Sequence, residues 1–480
     1  MKTVLFWFRN DLRLHDQPAL QAALASGARY LLPVACLSAP NATTAWGWER
    51  ASPQRRAWLH GALCDLDRQL TGLGCPLLVC DGDPATVLPA LAAVVGATEL
   101  YCEDIAAPEE QQHVAALRAA GLAVHTTWQS TLLDPQYLPW PADALPASYT
   151  PFRQAVERAL QSAAPVPQPL APARAAASTA PSADTAPVSH RSFPALAPAP
   201  LAAPGAMLPW PPAATAAGAT LPGYRAVLLA VPEDALLANP RSSLPAGPAG
   251  LQGGETAALA HLHQYLQRRL PDSYKRTRNQ LYGVDFSSKW SPWLANGALS
   301  ARRILAEVRA YEAEHGANEG TYWLWFELLW RDYFRLLHLQ YGAALYRERG
   351  LSTRSAAPPS ATSDERTANL ARWRHGATGE PLVDAAMREL LHTGYLSNRL
   401  RQVVASYLLN ELQGDWRAGA AWFESRLVDY DVYSNQGNWL YIAGRGTDPR
   451  GGRHFNLEKQ TAEHDPDGVY RRRWAGSECP

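Results

Sequence analysis

Residues 1–155 predict a doubly wound parallel α/β domain, 156–253 an Ala/Pro-rich linker and 254–480 an all-α domain. Three observations carry this division. Short apolar runs alternate with amphipathic segments in the first part, the middle is dominated by Ala, Pro and Ser, and helical periodicity then runs to the end.

The N-terminal strands are read at VLFWF from Val4, YLLPVACL from Tyr30, LLVC from Leu77, LY at Leu100 and AVHTTW from Ala123. Ser52 and Pro53 form an N-cap and first helical residue, after which Leu59, Leu63, Leu66 and Leu70 recur at three- and four-residue spacing, the mark of an amphipathic helix. Strand and helix in alternation give an open sheet whose ligands sit beyond the carboxyl ends of the strands. No GxGxxG follows the first strand, which excludes the usual dinucleotide dehydrogenase. The stretch from Ala163 to Gly253, with PVPQPLAPARAAASTAPSADTAP, has almost no apolar period and is expected to be mobile and partly extended. Beyond it, Leu400, Val403, Val404, Tyr407, Leu408 and Leu412 fall on one helical face.

Charge balances overall, 44 Lys+Arg against 44 Asp+Glu, but residues 261–310 hold nine basic side chains against three acidic. Such a cluster suits phosphates, and equally suits a solvated helix face. Six Cys show no paired CxxC spacing and no signal-type start precedes the first strand, so disulfide and zinc frameworks are not expected and a cytoplasmic location is. Every apolar run is soon broken by a charge or Pro, so no membrane span is expected.

Three segments carry candidate chemistry. In SSKWSPWLANGALS, Ser287, Ser288, Lys289, Trp290 and Ser291 stand at the expected start of a helix, where free amides and the dipole favour an anion; the serines serve equally as caps. In SNRLRQ and LVDYDVYSNQGNWLY, Asn398, Arg401, Asp429, Asp431 and Asn435 are set among apolar residues. They either form a buried structural pair or line a cofactor that both donates and accepts hydrogen bonds. Trp416 and Trp439 are core residues on the plain reading.

Taken in order, these strings resemble the photolyase and cryptochrome family, and its DASH branch in particular. The resemblance rests on WFRNDLRLHDQPAL, YKRTRNQLYGVDFSSKWSPWL from Tyr274, FELLWRDYFRL from Phe326, GATGEPLVDAAMRELLHTGYLSNRLRQVVASYL from Gly376 and DWRAGAAWFESRLVDYDVYSNQGNWLYIAGRGTDPR from Asp415. It implies an FAD cofactor, with Tyr274, Ser287, Ser288, Lys289, Trp290 and Ser291 at the pyrophosphate and ribityl region. Arg331, Asn398, Arg401, Asp429 and Asp431 would surround the flavin, with Arg401 and Asp429 paired beside the ring, Asn435 at its N5, and Glu327 counted with the cofactor as well as the lesion. Asn at that position cannot ionise, and tunes the flavin differently from an acidic residue.

The same resemblance implies a deoxyribodipyrimidine photo-lyase that splits cyclobutane pyrimidine dimers with an electron from reduced flavin, acting best on single-stranded, ultraviolet-damaged DNA. Glu327, Trp330, Gln402 and Tyr441 would line the lesion pocket; helix packing and pairing with a nearby Arg is the plain reading of Glu327 and Trp330. Trp439 would be proximal and Trp416 central in a Trp relay whose third member, by family spacing, falls near Ser363, where no Trp stands. Trp373, Trp323 and Tyr346 are its candidates. A folate (methenyltetrahydrofolate) antenna is disfavoured because Ile105 stands where relatives carry Glu, although Glu103, Asp104 or Glu109 could substitute. A monomer is expected. The rival function is a blue-light photoreceptor that signals through a partner without repair; a light-independent electron-transfer flavoprotein ignores the second half of the chain.

Overall fold

The computed structural model describes residues 1–37, 42–141, 144–162, 207–225, 239–246, 250–352, 361–448 and 451–476. Most of the Ala/Pro-rich tract, and the mobility expected of it, lies outside these residues.

Strands β1 (Thr3–Phe8), β2 (Tyr30–Leu37), β3 (Leu78–Asp81), β4 (Glu99–Glu103) and β5 (Ala123–Thr127) pair in parallel, in the order β5-β4-β1-β2-β3. The central strand is buried along its whole length, because helices cover both faces of the sheet. Those helices are α1 (Pro18–Leu24), α2 (Pro53–Gly72), α3 (Pro84–Val95) and α4 (Pro108–Ala119). The Ser52 hydroxyl accepts the Arg55 amide at 3.1 Å and Pro53 begins α2, while Leu63, Leu66 and Leu70 turn into the core. Helix α5 (Tyr149–Ser162) follows.

The structure departs from the composition where Ala and Pro suggested only a linker. Helix α6 (Pro212–Ala217) and the two-residue strand β6 (Tyr224–Arg225), antiparallel to β3, dock on the sheet edge. The Trp210 indole donates to the Pro76 carbonyl at 2.6 Å, and Ala214 and Leu221 are buried beside β3. Covering that edge leaves fewer unpaired backbone groups exposed.

The remaining helices are α7 (Glu255–Gln267), α8 (Tyr274–Thr277), α9 (Ser291–Ala295), α10 (Ala301–His315), α11 (Glu319–Tyr341), α12 (Ser363–Arg374), α13 (Pro381–Thr393), α14 (Asn398–Asn410), α15 (Trp416–Arg426), α16 (Val432–Ala443), α17 (Leu457–His464) and α18 (Val469–Arg473). One apolar core runs from the α/β domain into the helices, joining Ile105, Leu133 and Phe152 to Trp293, Leu328 and Tyr333. Polar ties reinforce it. Glu255 accepts the backbone amides of Leu14 and His15 at 2.7 and 2.9 Å, Arg302 pairs with the buried Asp16, and Arg13 donates to the Gly297 carbonyl. A Cβ at Gly297 would lie 1.9 Å from the Asn10 carbonyl oxygen, so only glycine admits this contact. A second core holds α12–α16 and α18 together around Trp373, Trp422 and Trp439. No described helix is long and apolar enough to cross a membrane.

Candidate functional site

Helices α14 and α16 and the turn before α16 frame a small cavity of about 80 Å3. Seven of the residues singled out in the sequence line it: Asn398, Arg401, Gln402, Asp429, Asp431, Asn435 and Trp439. Their convergence follows from the local folding. Ser397 caps α14, so Asn398, Arg401 and Gln402 project from its first turns. Asp431 caps α16 by accepting the Ser434 amide, which sets Asn435 one turn further on.

Each polar group in this wall has a distinct assignment. The Arg401 guanidinium donates from Nη2 to both Asp429 oxygens, at 3.0 and 2.8 Å. Asp429 is buried and Arg401 about a quarter exposed toward the cavity. Asp431 is spent differently: Arg335, from α11, meets both its oxygens at 3.1 Å. Burial would raise the Asp431 carboxyl, but the Arg335 and Arg331 guanidiniums outweigh it and hold it below the usual carboxylate range. Asn435 donates its amide to the Ala420 carbonyl at 3.0 Å, so its oxygen is left for the cavity.

Trp439 closes the cavity floor. A Cβ on Gly419 would lie 2.2 Å from its ring, and one on Gly437 would lie 2.1 Å from Phe334. Glycines at these two helical positions cost about 1 kcal/mol each in propensity and let α15 and α11 close on α16. Trp439 then meets Phe423 and Trp373 edge-on, with centroids 5.2 and 6.4 Å away. Trp416 lies in the same core and donates its indole N–H to the Glu348 carbonyl at 2.9 Å.

Of the remaining flavin candidates, Arg331 does not line this cavity. It donates to the carbonyls of Ser130 and Leu294, and burial with the neighbouring Arg335 charge pushes it down to about 9. Tyr274 and Trp290 are buried, Ser287 and Ser288 half-buried and Ser291 exposed. The helix expected to start at these serines is only five residues long; Trp290 is its N-cap, and no side chain caps it. The serines therefore do not act as caps here. Lys289 takes a positive φ of 57° and buries its side chain.

A second small cavity, of about 60 Å3, lies on the other side of α16 and is lined by Trp330, Tyr441, Tyr149, Phe334 and Asp448 among others. Trp330 stacks on Tyr149 with centroids 3.7 Å apart and meets Tyr441 edge-on at 5.9 Å. The Tyr441 hydroxyl accepts from Arg453 at 2.9 Å. Thus Trp330 and Tyr441 share one cavity, while Gln402 lines the other. Glu327 pairs with Arg278 of the segment after α8, and burial raises its carboxyl against that guanidinium. Sequence reasoning missed Tyr149, Arg278 and Arg335, whose partners are distant in the chain, and Arg453, only 12 residues from Tyr441; only their residue types hinted at a role.

A family model for the FAD binding domain of DNA photolyase matches residues 323–477, and one for DNA photolyase matches residues 4–171. Cryptochrome DASH of Gloeobacter violaceus is 41% identical over 98% of this chain and 85% of its own length. The chain belongs to the photolyase and cryptochrome family, in the DASH branch. Cryptochrome DASH of Synechocystis is 40% identical over 98% of the chain and 87% of its own length. The crystal structure of a Synechocystis cryptochrome matches 99% of this chain and 88% of its own, with a TM-score of 0.80 at 38% identity. A bacterial class III photolyase from Agrobacterium tumefaciens matches at a TM-score of 0.71, with 26% identity over 99% of this chain and 86% of its own. In a photolyase-family chain the Arg401–Asp429 cavity has the polar groups a flavin ring needs: a donating guanidinium and carboxamides, and an accepting carboxylate, around an apolar floor. The residues fit the cofactor.

The antenna position is different. Ile105 is buried in the core between the domains and offers no carboxylate. Glu103 is also buried, Asp104 accepts from Gln111, and Glu109 pairs with Arg50.

Proposed function

We propose that this protein is a blue-light-driven, FAD-dependent lyase that splits cyclobutane pyrimidine dimers in DNA, with single-stranded DNA as its better substrate. The observation that carries this reading is the pair of cavities sharing α16, one with a flavin-type polar wall and the other with an aromatic lining. Bound in its reduced form, FAD supplies the photo-excited electron that splits the cyclobutane ring.

The chain's own residues supply binding and orientation. Arg401, Asp429, Asn398 and Asn435 hold the ring, and the buried Arg401–Asp429 pair fixes their geometry before the cofactor arrives. Photolyases, like other enzymes acting on bases, take the damaged nucleotide out of the stack, which requires an aromatic wall and polar groups for the base edges. Trp330 and Tyr441 give that wall, and Tyr149 holds Trp330 by stacking on it. Glu327 acts at the base carbonyls, and burial raises its carboxyl while the Arg278 guanidinium opposes that rise. Gln402 reaches the lesion from the flavin side. Tyr274, Ser287, Ser288, Lys289, Trp290 and Ser291 take the diphosphate and ribityl chain, and Arg331 braces the loops at Ser130 and Leu294 behind the flavin. FAD is the one cofactor the reading requires; Ile105, at the position the family resemblance gives to a folate contact, is buried and has no carboxylate to offer.

The test is to mix purified, chemically reduced protein with ultraviolet-damaged single-stranded and duplex oligonucleotides under blue light and count dimers against a dark control. Light-dependent loss, greatest on single strands, supports the reading. Bound FAD without loss of dimers overturns it in favour of a photoreceptor.

A further inference from the structure

The chain segment that follows α8 holds an exposed aromatic ring among uncompensated cations. It begins at Arg278, in contact with Glu327, and at Asn279, whose Oδ1 accepts from Arg399 at 3.2 Å; the same guanidinium lies 3.5 Å from Gln402 Oε1. Leu281 is buried in the second core and pins the segment. Tyr282 and Val284, on either side of Gly283 at φ 113°, are 36% and 48% exposed. Behind Tyr282 stands the buried Tyr470, with planes at 24° and centroids 6.4 Å apart, and the Arg473 guanidinium carbon lies 6.0 Å from the Tyr282 centroid. Both contacts are at the outer limit for such pairs, so they support the ring without covering it.

The uncompensated charge around this ring is positive. Arg473 donates to the carbonyls of Arg241 and Pro240, and Arg399 to carboxamides, so neither is salt-bridged among the described residues. Asp285, the segment's own carboxylate, is held by Arg268 at 2.8 Å, and Glu463 acts on Arg399 without a salt bridge. An open ring flanked by guanidiniums meets the two needs of a single nucleic-acid strand, a face for a base and cations for its phosphates.

We propose that Tyr282 is a stacking platform for an unpaired base flanking the lesion, with Arg399 and Arg473 taking the adjoining backbone phosphates. The inference rests on the single-stranded DNA substrate read above, and gives that preference a residue. A base inside a duplex already has both faces covered by its neighbours, whereas an unpaired base has a face to offer, and an aromatic side chain binds it without regard to sequence. Tyr282 follows Arg278 by four residues, a chain span of at most about 14 Å. The base it meets therefore lies within about four steps of the lesion, at the rise of about 3.4 Å of a stacked strand.

The experiment measures, in the dark and by fluorescence anisotropy, binding of the FAD-loaded full chain to oligonucleotides that carry one cyclobutane thymine dimer, each flank being lengthened one nucleotide at a time. Wild-type affinity for single strands steps up when one flank reaches Tyr282, and Tyr282→Ala loses that step, about tenfold, the scale of removing one base-stacking aromatic. Tyr282→Phe keeps the step, an abasic nucleotide at the stepping position removes it from the wild type, and binding to a duplex with the same dimer is unchanged in both variants. A Tyr282→Ala protein that keeps the step, or that weakens on duplex as much as on single strands, overturns the proposal, as does a Tyr282→Phe protein as weak as Tyr282→Ala. Dimer splitting that persists beside any of these results leaves the repair reading intact; a wild type that binds no dimer-bearing strand overturns both.

Discussion

Trp373 stands edge-on to Trp439, ring centroids 6.4 Å apart and planes at 77°, and both are buried in one cluster to which Trp416 also belongs. One ring contact thus leads from Trp439 to Trp373, while the family resemblance implies a second route through Trp416 as the central member. Trp439→Phe is expected to abolish light-driven reduction of bound FAD, whereas Trp416→Phe and Trp373→Phe each leave a partial rate and their combination none. Transient absorption of the FAD-loaded variants checks this, and an undiminished rate in Trp439→Phe refutes it.

The Arg401–Asp429 pair is predicted to matter before any cofactor binds. Asp429→Asn leaves the partly exposed guanidinium without its counter-charge. The cost is about 3 kcal/mol, the low end for breaking a buried pair because Arg401 is a quarter exposed. Urea denaturation of the cofactor-free protein measures it directly, and the FAD content of the purified variant is expected to fall as well. An unchanged midpoint would mean that the pair contributes only when flavin is present.

Much of this molecule was legible in the sequence because period and punctuation agreed. Each of the five parallel strands appears where an apolar run stood, and the Ser52–Pro53 start of α2 has a local cause that needs no tertiary context. Residues 212–225 were not legible: a two-residue strand has no period, and Trp210 is held by a carbonyl from the loop before β3 that composition cannot reveal. The site divides the same way. Asn398, Arg401 and Gln402 share one helix face and meet Asp429, Asn435 and Trp439 across the cavity, so the ordered motifs carried them. Tyr149 and Arg278 were invisible because their meaning lies in partners far along the chain, Trp330 and Glu327.

That Glu327–Arg278 pair yields a third expectation. Glu327→Ala leaves Arg278 without its carboxylate and removes the group meant for the base carbonyls, so dimer splitting is lost while FAD binding persists. Glu327→Gln still donates a hydrogen bond and retains partial repair. Counting residual dimers in illuminated single strands separates the two, and equal repair by both variants and wild type would remove Glu327 from the pocket.

His338 sets an acid limit on stability. It is 1% exposed; Phe334 O lies 2.8 Å from Nδ1 and the Tyr346 hydroxyl 3.2 Å from Nε2, a pairing that suits the neutral ring. Burial pushes it down to about 4 from an ordinary value of 6.5. The unfolded chain therefore binds the proton first as pH falls, and stability is lost progressively between pH 6.5 and 4. A shift of that size amounts to about 3 kcal/mol for a fully buried ring. His338→Asn has no such proton to take up, so the difference in unfolding free energy between wild type and variant should shrink by that amount across this window. Denaturation curves at pH 7, 5.5 and 4 decide it: a constant difference would mean that His338 is protonated without cost in the folded protein.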